Sequence, residues 1–167
     1  MYYNEAMPEI IVIAHNIRST HNVGSIFRTC EGFGVSKLIL SGYTPYPKHA
    51  SDARLPYIFN KLTDQIHKTA LGAETLVPFE YQLEPNLEAL KNQGYEIVGL
   101  EQDKRSIMLP SFNIPERIVL LLGEEVNGIA LDMRDQCDHL LEIPMHGKKE
   151  SFNVSVAAGI ALYALII

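Results

Sequence analysis

Apolar residues fall in short runs separated by polar turns, and the runs alternate in character along the chain. Glu9 to Asn16 carries Ile10, Ile11, Val12 and Ile13 without a break, which predicts a strand covered on both faces. Val23 to Phe33 spaces Ile26, Phe27 and Cys30 for one helical face, with Asn22 placed to cap it and Gly34 to stop it. Strands are further predicted at Ser36–Ser41, Leu76–Tyr81, Tyr95–Gln102, Arg117–Gly123 and Leu140–Pro144. Helices are predicted at Ile66–Gly72, Asn86–Gln93, Leu131–Cys137 and from Asn153 to the end. Gly42 to Leu62, with Pro45, Pro47 and Pro56, reads as a long irregular loop, and Asp103 to Glu116 as a connector. This alternation predicts an α/β fold with a mostly parallel sheet flanked by helices. No linker or repeat interrupts it, so residues 1–167 are expected to form a single domain.

Composition narrows the picture modestly. Hydrophobic residues make up 47% and charged residues 20%, which excludes a disordered chain. Met1–Glu5 lacks a basic and then apolar leader, so no signal peptide is expected. The apolar terminus from Val154 to Ile167 falls short of the roughly 18 residues a membrane span requires. A cytoplasmic protein with no membrane contact is expected. Cys30 and Cys137 have no metal or redox spacing and are expected to be reduced, buried thiols. A net charge of −6 argues against nonspecific coating of nucleic acid. Yet residues 1–50 set Arg18, Arg28, Lys37 and Lys48 against Glu5, Glu9 and Glu31, a balance of 4 − 3 = +1. Lys148 and Lys149 precede Ser151, either as a local basic patch or as ordinary surface lysines.

Familiar catalytic signatures are missing. The chain has no G-x-G-x-x-G after its first strand, no P-loop lysine and no G-x-S-x-G elbow. Its six histidines show no metal spacing, so no metal site is expected. What remains is polar residues on three loops at the ends of predicted strands, where α/β proteins place ligand chemistry. The first loop carries Asn22 and Arg28. Six residues is about 600° of helix rotation, so these side chains do not share a face. Arginine at such a place is ordinarily a surface ion-pair partner, and the segment alone leaves both roles open. The second loop, Gly123 to Gly128, frames Glu124, Glu125 and Asn127 with glycines, which permit close backbone approach or positive φ. A plain strand exit would read the same. The third loop holds Ser151 and Asn153, the latter also a natural helix cap.

Together the loops resemble the SpoU/TrmH family of RNA 2′-O-ribose methyltransferases, in the SPOUT superfamily. The matching segments are Asn22-x-Gly24-x-x-x-Arg28-Thr29, Leu122-Gly123-Glu124-Glu125-x-x-Gly128, and Ile143-Pro144-Met145 with Ser151-Phe152-Asn153-Val154-Ser155-Val156-Ala157. Similarity runs from about Ile10 to the end, and Thr44-Pro45 and Lys68 to Glu74 are also of the family's type. The resemblance implies a deep C-terminal trefoil knot, with the last helix threaded through. It implies S-adenosylmethionine bound in a bent form, mostly by backbone, with Gly123, Ile143 and Phe152 lining the pocket and Met145 and Leu100 beside it. It implies methyl transfer to a ribose 2′-hydroxyl of tRNA or rRNA, with Arg28 activating the hydroxyl. Asn22, Glu124, Ser151 and Asn153 would orient Arg28 and the ribose, Glu124 through a bidentate pair with Arg28. A homodimer is implied, with the last helix and the first motif's helix near its interface. The acidic balance leaves RNA affinity to an accessory protein or to a narrow basic surface, to which residues 42–62 and Arg54 can contribute. Two other outcomes stay open: an RNA-binding or assembly protein with little catalysis, and a knotted base methyltransferase.

Overall fold

The computed structural model describes residues 7–167; the leader reading of Met1–Glu5 lies outside them. Seven parallel strands form one sheet: β1 Glu9–His15, β2 Lys37–Ser41, β3 Phe79–Gln82, β4 Glu96–Leu100, β5 Ile107–Met108, β6 Arg117–Leu122 and β7 His139–Glu142. Their spatial order is β3-β2-β1-β6-β4-β7-β5. Helices α1 Thr20–Gly32, α2 Pro56–Ala70, α3 Leu87–Asn92, α4 Leu131–Arg134 and α5 Val154–Ile166 cover both faces.

The unbroken apolar run in β1 follows from its central position. Successive side chains point to opposite faces, and both faces are dry. Ile10, Val12 and Ala14 join Leu38, Leu40, Leu120 and Leu122 under Ile26, Phe27, Ile66, Ala158 and Leu162 of α1, α2 and α5. Ile11 and Ile13 join Ile39, Val119, Leu121 and Ile97 under Leu87, Leu90 and Met133 of α3 and α4. Cys30 is fully buried, and burial drives its thiol far up; Cys137 is only part-buried, its thiol pushed up to about 11. Both are free, and neither lines the crevice described below.

Three local expectations are corrected. Helix α1 starts at Thr20 and is capped by Ser19, whose hydroxyl accepts the Asn22 N–H at 3.2 Å; Asn22 therefore sits inside the first turn, not at the cap. Helix α2 occupies Pro56–Ala70, so the irregular loop ends at Leu55 and the expected helix at Ile66–Gly72 is only its last turn. Pro56 opens that helix, because proline's missing N–H costs nothing in the first turn. The connector after β4 carries a two-residue edge strand, β5, and a short 3₁₀ turn at Leu109–Ser111.

From β1 the chain crosses to β2 on one side, whereas from the neighbouring β6 it crosses to β7 on the other. Connections that leave adjacent strands in opposite directions open a crevice beyond their carboxyl ends, the usual ligand position in open α/β sheets. Among the described residues no helix is long and apolar enough to cross a membrane.

Candidate active site

A crevice of about 200 Å³ lies beyond the carboxyl ends of β4, β6 and β7. Leu100, Gly123, Ile143, Met145 and Phe152, all five residues expected at a cofactor, line it together with Glu124 and Ser151. Leu122, Leu141, Val154 and Ala157 complete an apolar floor. One wall is the 124–128 segment. Glu124 and Gly128 exchange N–H···O bonds of 3.0 and 2.9 Å, closing the 124–128 segment into a tight loop, with Gly128 at φ 67°. Gly123 is buried where a β-carbon would run into the backbone of Gly128 and Ile129.

Two residues absent from the sequence reading brace the crevice. Glu101 accepts the Ile129 N–H at 2.7 Å and the Gln102 N–H at 3.0 Å. The Gln102 amide donates to the Glu150 carbonyl at 2.6 Å, tying the end of β4 to the loop before Ser151. The predicted strand ran on to Gln102 and absorbed both; the observed β4 ends at Leu100, which puts them directly after its carboxyl end.

A hydrogen-bonded chain joins the three motifs at the mouth of the crevice. Glu125 accepts from the Asn22 amide at 3.0 Å, from the Ser19 N–H at 3.2 Å and from the Arg18 N–H at 3.0 Å. The Asn153 amide donates to the Asn22 Oδ1 at 3.1 Å, and its own Oδ1 caps α5 by accepting the Ser155 N–H at 2.9 Å. Partial burial alone would raise the Glu125 carboxyl. The N–H donors of Arg18, Asn22, Ser19 and its own backbone outweigh that and hold it below the usual carboxylate range. The ionised form therefore stabilises the folded loop in full above the unfolded carboxylate value, about 4.3, and loses that contribution as pH falls through the lower folded value. Glu125→Gln is expected to cost about 1 kcal/mol at neutral pH, a small figure because the group is part-exposed. The gap should close as thermal unfolding is measured at successively lower pH below about 4. A gap that is constant with pH would refute the assignment.

Within one chain the carboxylate that bonds to Asn22 is thus Glu125 and not Glu124. Glu124 pairs instead with the Arg18 guanidinium and accepts from the Asn127 amide at 2.6 Å. Glu124 does not hold Arg28 within one chain. Within one chain Arg28 is exposed on the far side of α1 and lines a second, open hollow with Ser25, Lys68, Val156, Ile160 and Tyr163. Helix geometry separates it from Asn22, as the spacing requires. Arg54, a candidate contributor to RNA affinity, is engaged within the chain. Its guanidinium bonds to Asp52 and to the carbonyls of Tyr46 and Pro47 at 3.1 and 3.2 Å, so it clamps the 42–55 loop and offers little to a ligand.

Residues 9–163 match the model of the SpoU rRNA Methylase family. The chain belongs to this family. Membership carries the knotted α/β fold expected above. A tRNA (guanosine(18)-2′-O)-methyltransferase of Aquifex aeolicus is 32% identical over 155 residues, covering 93% of this chain and 67% of that protein. The solved TrmH/SpoU tRNA modifying enzyme of A. aeolicus superposes with a TM-score of 0.77 at 29% identity, over 96% of this chain and 76% of that one. The SpoU methyltransferase AviRb of Streptomyces viridochromogenes, solved in complex with AdoMet, shares the fold with a TM-score of 0.72 at 24% identity, over 98% of this chain and 58% of that one. Among three curated relatives the chain spans 39, 67 and 55% of their lengths.

Proposed function

We propose that this chain catalyses S-adenosylmethionine-dependent methyl transfer to a ribose 2′-hydroxyl of tRNA or rRNA in the cytoplasm. One observation carries the proposal: the Glu125–Asn22–Asn153 chain locks three separate motifs at the mouth of a crevice with an apolar floor and the 124–128 segment as one wall. Such a floor suits an adenine ring, and the polar mouth suits a ribose. The relatives named for guanosine 2′-O-methylation and the AdoMet-bound family member support the same assignment.

The bound cofactor supplies a methyl group already activated by its positive sulfonium. The protein must hold a ribose hydroxyl in line and make it nucleophilic. Asn22, Asn153 and Ser151 stand where they can orient the ribose. Arg28 provides a guanidinium, charged at neutral pH, that stabilises a developing alkoxide.

Because Arg28 lines a hollow apart from its own crevice, the complete site is proposed to form in a homodimer, with Arg28 reaching the crevice of a second copy. The hollow lies on an α1–α5 face that exposes Val156 and Tyr163, at 50 and 56%. Val156 is one helical turn or less from Val154 and Ala157 of the crevice floor, so the two regions adjoin along α5. With Arg54 internally engaged, an accessory RNA-binding protein remains part of the proposal. Labelled S-adenosylmethionine, the protein and bulk RNA from cells lacking the gene provide the test. Digestion is expected to yield a 2′-O-methylnucleoside. A base-methylated nucleoside, or RNA binding without transfer, would replace this assignment.

A further inference from the structure

A third hollow, of about 570 Å³, lies beyond the carboxyl ends of β1, β2 and β3, on the other side of Arg18 from the crevice. Arg18 forms the partition. It lines this hollow, while its guanidinium and N–H engage Glu124 and Glu125 of the crevice rim. The Tyr43 hydroxyl and the Glu124 carboxylate both favour the charged form of Arg18. Tyr43, Tyr46 and Tyr81 are the aromatic residues of the hollow's lining. Tyr46 stacks on Tyr81 with ring centroids 4.2 Å apart, and the clamped Arg54 guanidinium covers its other face at 3.5 Å. Tyr43 is different: 52% exposed, its ring has no aromatic partner among the described residues.

The fold nevertheless fixes Tyr43 with care. Its N–H donates to the Asn16 Oδ1 at 3.1 Å. The Asn16 amide donates to His15 Nε2 at 2.9 Å, and His15 Nδ1 meets the buried Ser41 hydroxyl at 2.9 Å. The Asn16 donor requires a lone pair on Nε2, so the imidazole is neutral and its Nδ1–H donates to Ser41. Asn16 itself has φ 59°, a left-handed conformation that few residues adopt readily. Gly42 has φ 64° and presses on Asn16 so closely that a β-carbon would overlap its side-chain oxygen. A hydrogen-bonded network rooted in the buried His15–Ser41 pair, together with two left-handed residues, therefore presents one exposed aromatic residue beside the crevice rim.

We propose that this hollow takes a base of single-stranded RNA, stacked on Tyr43, with Arg18 beside its phosphate, and so selects the nucleotide delivered to the neighbouring crevice. Aromatic rings accept unpaired bases of any sequence, and Gln65 and Thr20 on the wall offer hydrogen bonds to a base edge. The proposal rests on the RNA-methylation assignment for its role, but the stacking itself needs no chemistry.

The test is fluorescence anisotropy of a short labelled single-stranded oligoribonucleotide with the full chain, and with Tyr43→Ala and Tyr43→Phe. Tyr43→Ala is expected to weaken binding about 5- to 150-fold, the range for losing one stacked base, while Tyr43→Phe stays near wild type. A duplex of the same sequence, whose bases are not free to stack, should bind alike to all three proteins. Equal binding of the single strand by Tyr43→Ala and wild type overturns the hollow's role, as does absence of binding by wild type. Methyl transfer by wild type is measured alongside. Transfer with unchanged Tyr43→Ala binding removes the base site alone; Tyr43-dependent binding without transfer removes the enzymatic assignment alone.

Discussion

Replacing Arg28 with alanine is expected to reduce methyl transfer by about a hundred- to a thousandfold, while S-adenosylmethionine affinity stays within about threefold. The two halves of this expectation have separate structural causes. Arg28 lines none of the crevice in its own chain, so removing it leaves the apolar floor and the 124–128 wall intact. Its proposed work is confined to charge that develops on the ribose oxygen, where a fixed guanidinium acts on the transition state and little on the ground state. Isothermal titration with the cofactor and single-turnover transfer to RNA would read the two quantities independently. A variant that lost cofactor binding and transfer together would contradict the role.

The same residue tests the homodimer. In a mixed dimer of an Arg28→Ala chain and a chain with a disabled crevice, one site combines an intact crevice with an intact Arg28 only if the arginine comes from the other copy. Co-expressed tagged chains should then recover part of the wild-type activity, although each variant alone is inactive. No recovery, with mixed dimers demonstrably formed, would mean that Arg28 acts within its own chain or not at all.

Much of the fold was legible because burial on two faces leaves a strong mark. β1 and β6 had to be apolar throughout, and their runs end within a residue of the observed strands. The five crevice-lining residues were named through the family resemblance and not through burial, and they lie at or after the ends of β4, β6 and β7. Other features leave weaker marks. Only Phe59, Ile66 and Ala70 of α2 are buried, so most of its surface reads like a loop, and its three neighbouring prolines reinforce that reading. Ser19 and Asn22 are both good caps, and only the local backbone decides between them. The decision has consequences, since an Asn22 relieved of capping is free to bridge Glu125 and Asn153. Glu124 and Glu125 are adjacent and chemically alike. Which one turns toward α1 depends on the tight closure from Glu124 to Gly128, a long way from anything a hydrophobic pattern records. Arg28 was the hardest case, because within one chain it lines a hollow apart from the crevice.

Gly123→Ala is expected to weaken S-adenosylmethionine binding by about a hundredfold or more and to cost roughly 1–3 kcal/mol of stability, the usual range for forcing a methyl group into a packed site. Gly123 is buried at the end of β6, and its missing β-carbon is what lets the Gly128–Ile129 backbone pass against it. The obstruction would be backbone, not the far end of a flexible side chain, so it cannot move aside cheaply. Relieving it must push the returning strand of the loop outward. That shift strains the paired Glu124–Gly128 bonds and the Ile129 N–H bond to Glu101, and it opens the wall that Glu125 anchors to Asn22. Gly147 supplies the control: it lies on the exposed loop before Ser151, and a β-carbon there meets nothing within 4 Å. Gly147→Ala should therefore bind the cofactor like wild type and unfold at the same temperature. Calorimetric titration and thermal melting of both variants separate the outcomes. If Gly123→Ala folds and still binds within about threefold of wild type, the crevice beyond β4, β6 and β7 is not where the methyl donor sits, and the site must be sought elsewhere on the sheet's carboxyl edge.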